Sequence, residues 1–318
     1  MIFDVFNGDA DGICALHQLR LAEPAESELV TGVKRDIGLL KRVPAGAGDS
    51  VNALDITVEK NLAALQAMLD KGVRVRWFDH HNPGELPVHP GFEPHIDTAA
   101  DVCTSLLVDR QIGGGHRAWA VAAAFGDNLH ESARRAAEPL GLDAARLAAL
   151  QELGECLNYN AYGDSVDDLY FHPADLYRRL HPYADPFAFI AEAPEFARLR
   201  EGYAEDMQAA QQTRAYVERP SGAVFVLPDA AWARRVSGVY ANALATAHPD
   251  RAHALVTRSP KGYYVVSVRA PVNNRVGADT LCMRFDGGGG RKAAGGINNL
   301  PESQLDDFVR AFYEVYPG

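Results

Sequence analysis

Two clusters of acids and imidazoles stand out by type and spacing. Near the amino terminus the chain reads Asn7-Gly8-Asp9-Ala10-Asp11-Gly12, with two carboxylates two residues apart in a glycine-flanked turn. Carboxylate oxygens are hard donors and glycines allow tight backbone turns, so Asp9 and Asp11 could each reach a different divalent cation. The same pattern also marks plain turns and calcium loops. Further on, Asp79-His80-His81 sets a carboxylate beside two imidazoles. Mixed oxygen and nitrogen donors suit Mn²⁺, Fe²⁺ or Zn²⁺ better than Ca²⁺. Adjacent histidines at a strand end can point to different sides, so one can ligate while the other meets a substrate. A surface histidine pair is the plain alternative.

The elements that must position these groups can be read from periodicity. Ile2–Phe6 reads as a strand and Ile13–Leu21 has helical spacing. Ser50–Leu54 reads as a second strand, ending at Asp55. Thr57 is a candidate cap for a helix with Val58, Leu62, Leu65 and Leu69 on one face, and Val73–Phe78 is a strand running into Asp79. Alternating strands and helices predict a parallel sheet with helices on its faces. Ligands of such sheets gather beyond the carboxyl ends of the strands, where Asp9, Asp55 and Asp79 all stand. The middle of the chain is more helical: Ala118–Phe125 leads into Gly126-Asp127, Ala144–Leu157 is a helix, and 157–163 breaks it. Pro194–Val217 reads as a long polar connector helix. Beyond Gly222 come strands at Ala223–Leu227, Ala254–Thr257 and Tyr263–Arg269, a helix at Trp232–Ala247, and a glycine-rich loop at Gly287–Gly290. An amphipathic helix with Leu305, Phe308, Val309 and Phe312 on one face closes the chain.

The chain has 318 residues, 47% of them hydrophobic, enough for two domains with ordinary cores. A formal net charge of −11 argues against a broad basic face for long duplex DNA, though not against a local basic pocket for a short anion. Cys14, Cys103, Cys156 and Cys282 lie in no metal or redox spacing and read as buried thiols. The first residues lack a signal-peptide pattern, and no stretch approaches ~20 apolar residues, so a cytoplasmic protein with no membrane partner is expected.

Taken in order, D-x-D-G after the first strand, Asp55 after a later one, the D-H-H run and a downstream G-G-G-x-R-K-A-A-G resemble the DHH phosphoesterases that carry a C-terminal DHHA1 domain. The resemblance runs from Asn7 to about Gly296. It implies an α/β fold with an N-terminal parallel-sheet domain at 1–190, a helical linker at 191–221 and a smaller α/β domain at 222–318, with a cleft between the domains. It further implies two divalent cations, Mn²⁺ first and Mg²⁺ as the alternative. Asn7, Asp9, Asp11, Asp55, Asp79, His80 and Asp127 would hold them, with Asp55 bridging. Asp79, His81 and Arg269 would act in catalysis. Arg269, Gly288, Gly289, Gly290, Arg291 and Lys292 would contact substrate, and the chain could form a homodimer.

Two departures bear on that reading. Where the family usually has His, this chain has Asn7, a weaker donor for a transition metal, which implies unequal metal positions. Where the family loop reads G-G-G-H, this chain has Gly290. Arg291 and Lys292 could replace the lost positive group, or be ordinary solvated cations at a helix start. Thr104-Ser105 resembles a family pair near the site, and a capped helix start explains it equally well. Gly113–His116 reads as a plain loop, Trp77 and Trp119 as core. Tyr159, Asn160 and Tyr162 could stack on a base, or form a packed turn. The expected activity is hydrolysis of short nucleotides (pGpG, nanoRNA or pAp) by metal-activated water. A single-strand exonuclease and a non-catalytic nucleotide-binding protein are the alternatives.

Overall fold

The computed structural model describes residues 1–317 and divides into two compact units, 1–201 and 202–318. In the first, β1 (Ile2–Phe6), β2 (Glu28–Val30), β3 (Ser50–Leu54), β4 (Arg74–Asp79) and β5 (Phe92–Ile96) form one parallel sheet in the order β2-β1-β3-β4-β5. Helix α1 (Ala10–Ala22) connects β1 to β2, and α2 (Val58–Asp70) connects β3 to β4. Seven more helices follow: α3 (Thr104–Gln111), α4 (Arg117–Gly126), α5 (His130–Ala137), α6 (Ala144–Tyr159), α7 (Pro173–Leu180), α8 (Pro186–Glu192) and α9 (Pro194–Gln211).

The strands show the period of two that directs alternate side chains to opposite faces. Phe3, Val51, Val75 and Phe92 are in register, as are Val5, Ala53 and Trp77, and these residues pack on Val58, Leu65, Met68 and Leu69 of α2. The intervening row Asp4, Asn52 and Arg76 is polar. There the buried Asp4 carboxylate takes two bonds of 2.7 Å from Arg20 of α1, with Asn52 and Ser27 completing its partners. A buried carboxylate needs such a full set of donors. Trp77 and Trp119 are core, each donating its indole N–H to a backbone carbonyl. All four cysteines are buried free thiols. Thr57 stands at the N-terminus of α2 as expected, but its hydroxyl donates to Asn82 O rather than capping the helix.

The second unit holds a six-stranded sheet in the order β10-β11-β9-β8-β7-β6, from β6 (Val217–Arg219), β7 (Gly222–Leu227), β8 (Ala252–Arg258), β9 (Tyr263–Arg269), β10 (Gly288–Arg291) and β11 (Ala294–Pro301). Among the described residues only β7 and β8 pair in parallel. Helices α10 (Ala231–Ala247), α11 (Ala278–Cys282) and α12 (Leu305–Val315) accompany it. Phe308 and Phe312 of α12 pack with Val224, Val266 and Val268 in its core. No helix among the described residues is long and apolar enough to cross a membrane.

Candidate metal centre

The carboxyl ends of the strands bring the acids together. Asn7 follows β1 directly, and Asp9 caps α1 with Oδ1 accepting from the backbone N–H groups of Asp11 and Gly12 at 3.0 Å each. That cap satisfies donors a helix start leaves orphaned. Asp11 lies in the first turn of α1 and caps a different helix. Its two oxygens accept from Thr104 N and Ser105 N at the start of α3, both at 2.7 Å. Asp55 follows β3 with φ of 58°, a left-handed conformation that Asp tolerates better than most residues. Its Oδ1 accepts from Thr104 Oγ1 at 3.2 Å. Asp79 ends β4, and Asp127 stands at the C-terminus of α4.

His80 sits at the focus. Its Nδ1 lies 2.9 Å from Val102 O, a carbonyl that can only accept, so that nitrogen carries the proton. In the neutral ring Nε2 is then left with its lone pair. That atom is 3.5 Å from Asp55 Oδ1, 3.5 Å from Asp127 Oδ2 and 4.0 Å from Asp11 Oδ2. Ligand atoms at right angles around a cation, each about 2.1 Å from it, stand about 3 Å apart. The cluster is therefore close to ligating dimensions. Two sets of ligand atoms lie near enough to one another to share an ion: those of Asp11, His80 and Asp127, and those of Asp55, His80 and His81. The donor set of carboxylates and one imidazole, with the ring's orientation fixed from behind by Val102, fits a divalent ion of the Mn²⁺ type.

Burial gives the acids unlike protonation behaviour. Asp55 is pushed well above the usual carboxylate range, first by burial and then by the charges of Asp9, Asp11, Asp127 and Asp79. Asp11 is raised by burial and by Asp127. Burial would also raise Asp9, but the Lys34 charge and hydrogen bond outweigh it and hold Asp9 below its ordinary value. For His81 burial disfavours the charge, while the 2.7 Å bond from Nδ1 to Asp79 Oδ1 and the Asp79 charge prevail and raise it. His81 is the exposed member, at 45%, and Asp79 beneath it is fully buried.

Lys34, Asn158 and Thr104 complete the site, and of these only Thr104 was suggested by sequence. Lys34 Nζ bonds Asp9 Oδ2, Asn158 Oδ1 at 3.0 Å and Asp127 Oδ1 at 3.3 Å. Its ammonium is pushed well above its ordinary range: burial opposes the charge, but Asp9 and Asp127 dominate. Lys34 lies in the loop after β2, where neither periodicity nor motif marks it. Thr104-Ser105 is both a helix start and part of the site, because the carboxylate capping α3 is Asp11 itself. The aromatic segment reads otherwise. Tyr159 and Asn160 are buried, and Asn160 exchanges hydrogen bonds with the backbone of Phe171, so neither can stack on a base. Tyr162 alone is half-buried, with Lys34 Nζ 5.8 Å from its ring centroid.

The remaining expected contact residues lie in the second unit. Arg269 ends β9 and its guanidinium donates to Asn242 Oδ1 at 2.6 Å and Val268 O at 3.0 Å. The expected glycine-rich loop is instead strand β10, paired antiparallel with β11 at the sheet edge. Close packing explains part of its composition. A Cβ at Gly288 would stand 1.9 Å from Cys282 O of α11, whereas one at Gly289 meets nothing within 4 Å. Arg291 and Lys292 are exposed at the β10–β11 turn, not at a helix start.

No protein-family model and no curated protein matches this chain. Solved structures do. A manganese-bound RecJ exonuclease matches with a TM-score of 0.65 at 19% identity, covering 100% of this chain and 90% of that one. A DHH-domain protein described as belonging to a family of ribosomal proteins matches with a TM-score of 0.64 at 14% identity, covering 98% and 85%. The chain has the DHH fold. A pGpG-specific phosphodiesterase, PggH of Vibrio cholerae, matches with a TM-score of 0.57 at 14% identity, covering 99% of both chains. In this DHH-fold chain the D-H-H run lies at the end of β4, where His80 faces Asp11, Asp55 and Asp127.

Proposed function

We propose that this chain is a metal-dependent phosphodiesterase that hydrolyses short nucleotides. The observation that carries the reading is the convergence of Asp11, Asp55 and Asp127 on the lone-pair nitrogen of His80. Asp11, Asp55, His80 and Asp127 would hold the ion, with Mn²⁺ preferred over Mg²⁺ because imidazole is among the donors. A bound divalent ion supplies Lewis acidity toward a phosphoryl oxygen and an activated water. The chain's own contribution is to place charge and protons around it. His81, raised by Asp79 and open to solvent, is placed to give a proton to the departing oxygen. Thr104 fixes the Asp55 oxygen that faces both histidines.

The substrate reading rests on charge and on the neighbours of the fold. A chain of net charge −11 is poorly suited to an extended polyanion. Among the matching structures, one is a pGpG-specific phosphodiesterase and another a RecJ exonuclease. In the second unit, Arg269 would bring positive charge to a phosphate, and the open backbone at Gly289 permits close approach. The test is a panel of pGpG, pAp, short RNAs and longer single strands with Mn²⁺, products resolved by mass. Cleavage that favours dinucleotides supports the reading. Cleavage that improves with strand length would favour an exonuclease, and no cleavage of any member would reject hydrolysis.

A further inference from the structure

The site contains a cation of its own. Lys34 is anchored at its backbone, where N–H donates to Ala161 O at 2.9 Å and the carbonyl accepts from Asn7 Nδ2 at 3.4 Å. Its ammonium reaches Asp9, Asp127 and Asn158, so that carboxylates on two elements and an amide on a third form a pocket around it. Asn158 is 4% exposed. Its neutral oxygen suits an ammonium donor.

Both oxygens of Asp9 are engaged as a result. Oδ1 is occupied by two backbone N–H groups and Oδ2 by Lys34. The groups able to share an ion accordingly draw on Asp11, Asp55, His80, His81 and Asp127 but not on Asp9. Asn7, the other residue expected on that side, is buried with Oδ1 lacking any hydrogen-bond partner among the described residues. A divalent ion bound by Asp9 would have to displace an ammonium from its ion pair and then rest beside it, two like charges in a buried site.

We propose that Lys34 replaces a second metal ion: the chain binds one divalent cation, on Asp11, Asp55, His80 and Asp127, and the ammonium of Lys34 fills the position beside Asp9. This rests on the metal-dependent reading above and deepens it. The substitution changes the chemistry of that half of the site. An ammonium offers positive charge, but its three donors are taken by Asp9, Asp127 and Asn158, so toward a phosphate it acts by charge alone. It has no coordination position for water, so water activation belongs wholly to the side where His80 lies.

The test counts ions. The intact protein is dialysed against Mn²⁺, bound metal is measured by elemental analysis, and the electron paramagnetic resonance spectrum separates isolated from spin-coupled Mn²⁺. The expected result is one isolated ion per chain in the wild type and in Lys34→Arg, and two coupled ions in Lys34→Ala. Two coupled ions in the wild type would overturn the proposal and leave the hydrolase reading standing. No bound ion in the wild type would overturn both. One ion in the wild type and in a folded Lys34→Ala would also overturn it, since Asn7 rather than Lys34 would then close the second position. If Lys34→Ala does not fold, Lys34→Met, which keeps the length of the side chain without its charge, is read in its place with the same expected count.

Discussion

Gly154→Ala tests whether packing between two helices holds the metal centre in register. Helices α4 and α6 cross where Gly126 and Gly154 meet. A Cβ at Gly154 would stand 1.9 Å from Ala122 O and 2.9 Å from Gly126 N, both backbone atoms. Carbon atoms at such positions need at least 3.0 Å, so the backbones must part by about 1.1 Å (3.0 − 1.9). Overpacking of a closed core costs ~1–3 kcal/mol. The upper end applies here because the clash is with backbone, which cannot rotate away. The displacement also reaches function. Asp127 follows Gly126 directly at the end of α4, and Asn158, a partner of Lys34, is one turn beyond Gly154 on α6. Metal ligands tolerate displacements of about 0.2 Å, and loss of their support costs roughly 10–100-fold in affinity.

Two measurements check this prediction: urea unfolding followed by fluorescence, to which Trp119 on α4 contributes, and Mn²⁺ affinity by titration calorimetry. Gly115→Ala is the control. A Cβ there meets nothing within 4 Å, so its stability should stay within about 0.5 kcal/mol of wild type. If Gly154→Ala matches the control in both stability and Mn²⁺ affinity, the α4–α6 contact does not position Asp127, and the reasoning fails.

Asp55→Asn should reduce turnover by more than about 100-fold with the fold intact, because Asn also tolerates the φ of 58° at this position; substantial residual activity would remove Asp55 from the metal shell. Asp79→Asn takes away the charge that raises His81, so the basic limb of the pH–rate profile should move to lower pH, and an unmoved limb would deny His81 a proton-transfer role. The buried ring of His17 is held neutral, with its pKa lowered from 6.5 to about 3, so between those values the unfolded chain binds a proton that the folded chain does not. Stability should therefore fall with pH, by roughly 2 kcal/mol between pH 7 and pH 5, and His17→Gln should flatten that slope; an unchanged slope would show that His17 is not its source.

Sequence made the first sheet legible where burial is one-sided or complete. β1, β3 and β4 carry runs such as Val51 to Leu54, and their helices show clear periodicity, so the positions of Asp9, Asp55 and Asp79 beyond strand ends followed. β2 and β5 escaped. β2 has three residues, and β5 reads Phe-Glu-Pro-His-Ile, a polar edge strand whose pairing with β4 is decided by tertiary contact. β6 escaped for the same reason, starting where the expected polar helix ended at Val217 and lying at the other sheet's edge. The glycine run was misread as a loop. Glycine is rare within strands, and here the close approach of α11 to Gly288 requires it. Lys34 had no signal, because its role depends on Asp9, Asp127 and Asn158 arriving from three other places in the chain.

The same contacts explain why stability and metal binding cannot be separated by crude substitution. Asp9 caps α1, and Asp11 caps α3 with both oxygens. Each Asp11 oxygen takes one bond and keeps a further lone pair, so capping and ligation use that one group at once. A helix N-terminus stabilises the negative charge it caps, which offsets part of the cost of burying these acids before any ion arrives. Removal of Asp11 by alanine would uncap α3, shift Thr104, and with it the hydroxyl that orients Asp55. Loss of activity in such a variant would then report a displaced helix as readily as a lost ligand. Asn keeps one acceptor for the helix, but its NH2 would face the other backbone N–H, so Asp11→Asn removes one of the two capping bonds together with the charge. The carboxylates face His80 only with α1 and α3 docked, so the centre depends on the packing of both helices.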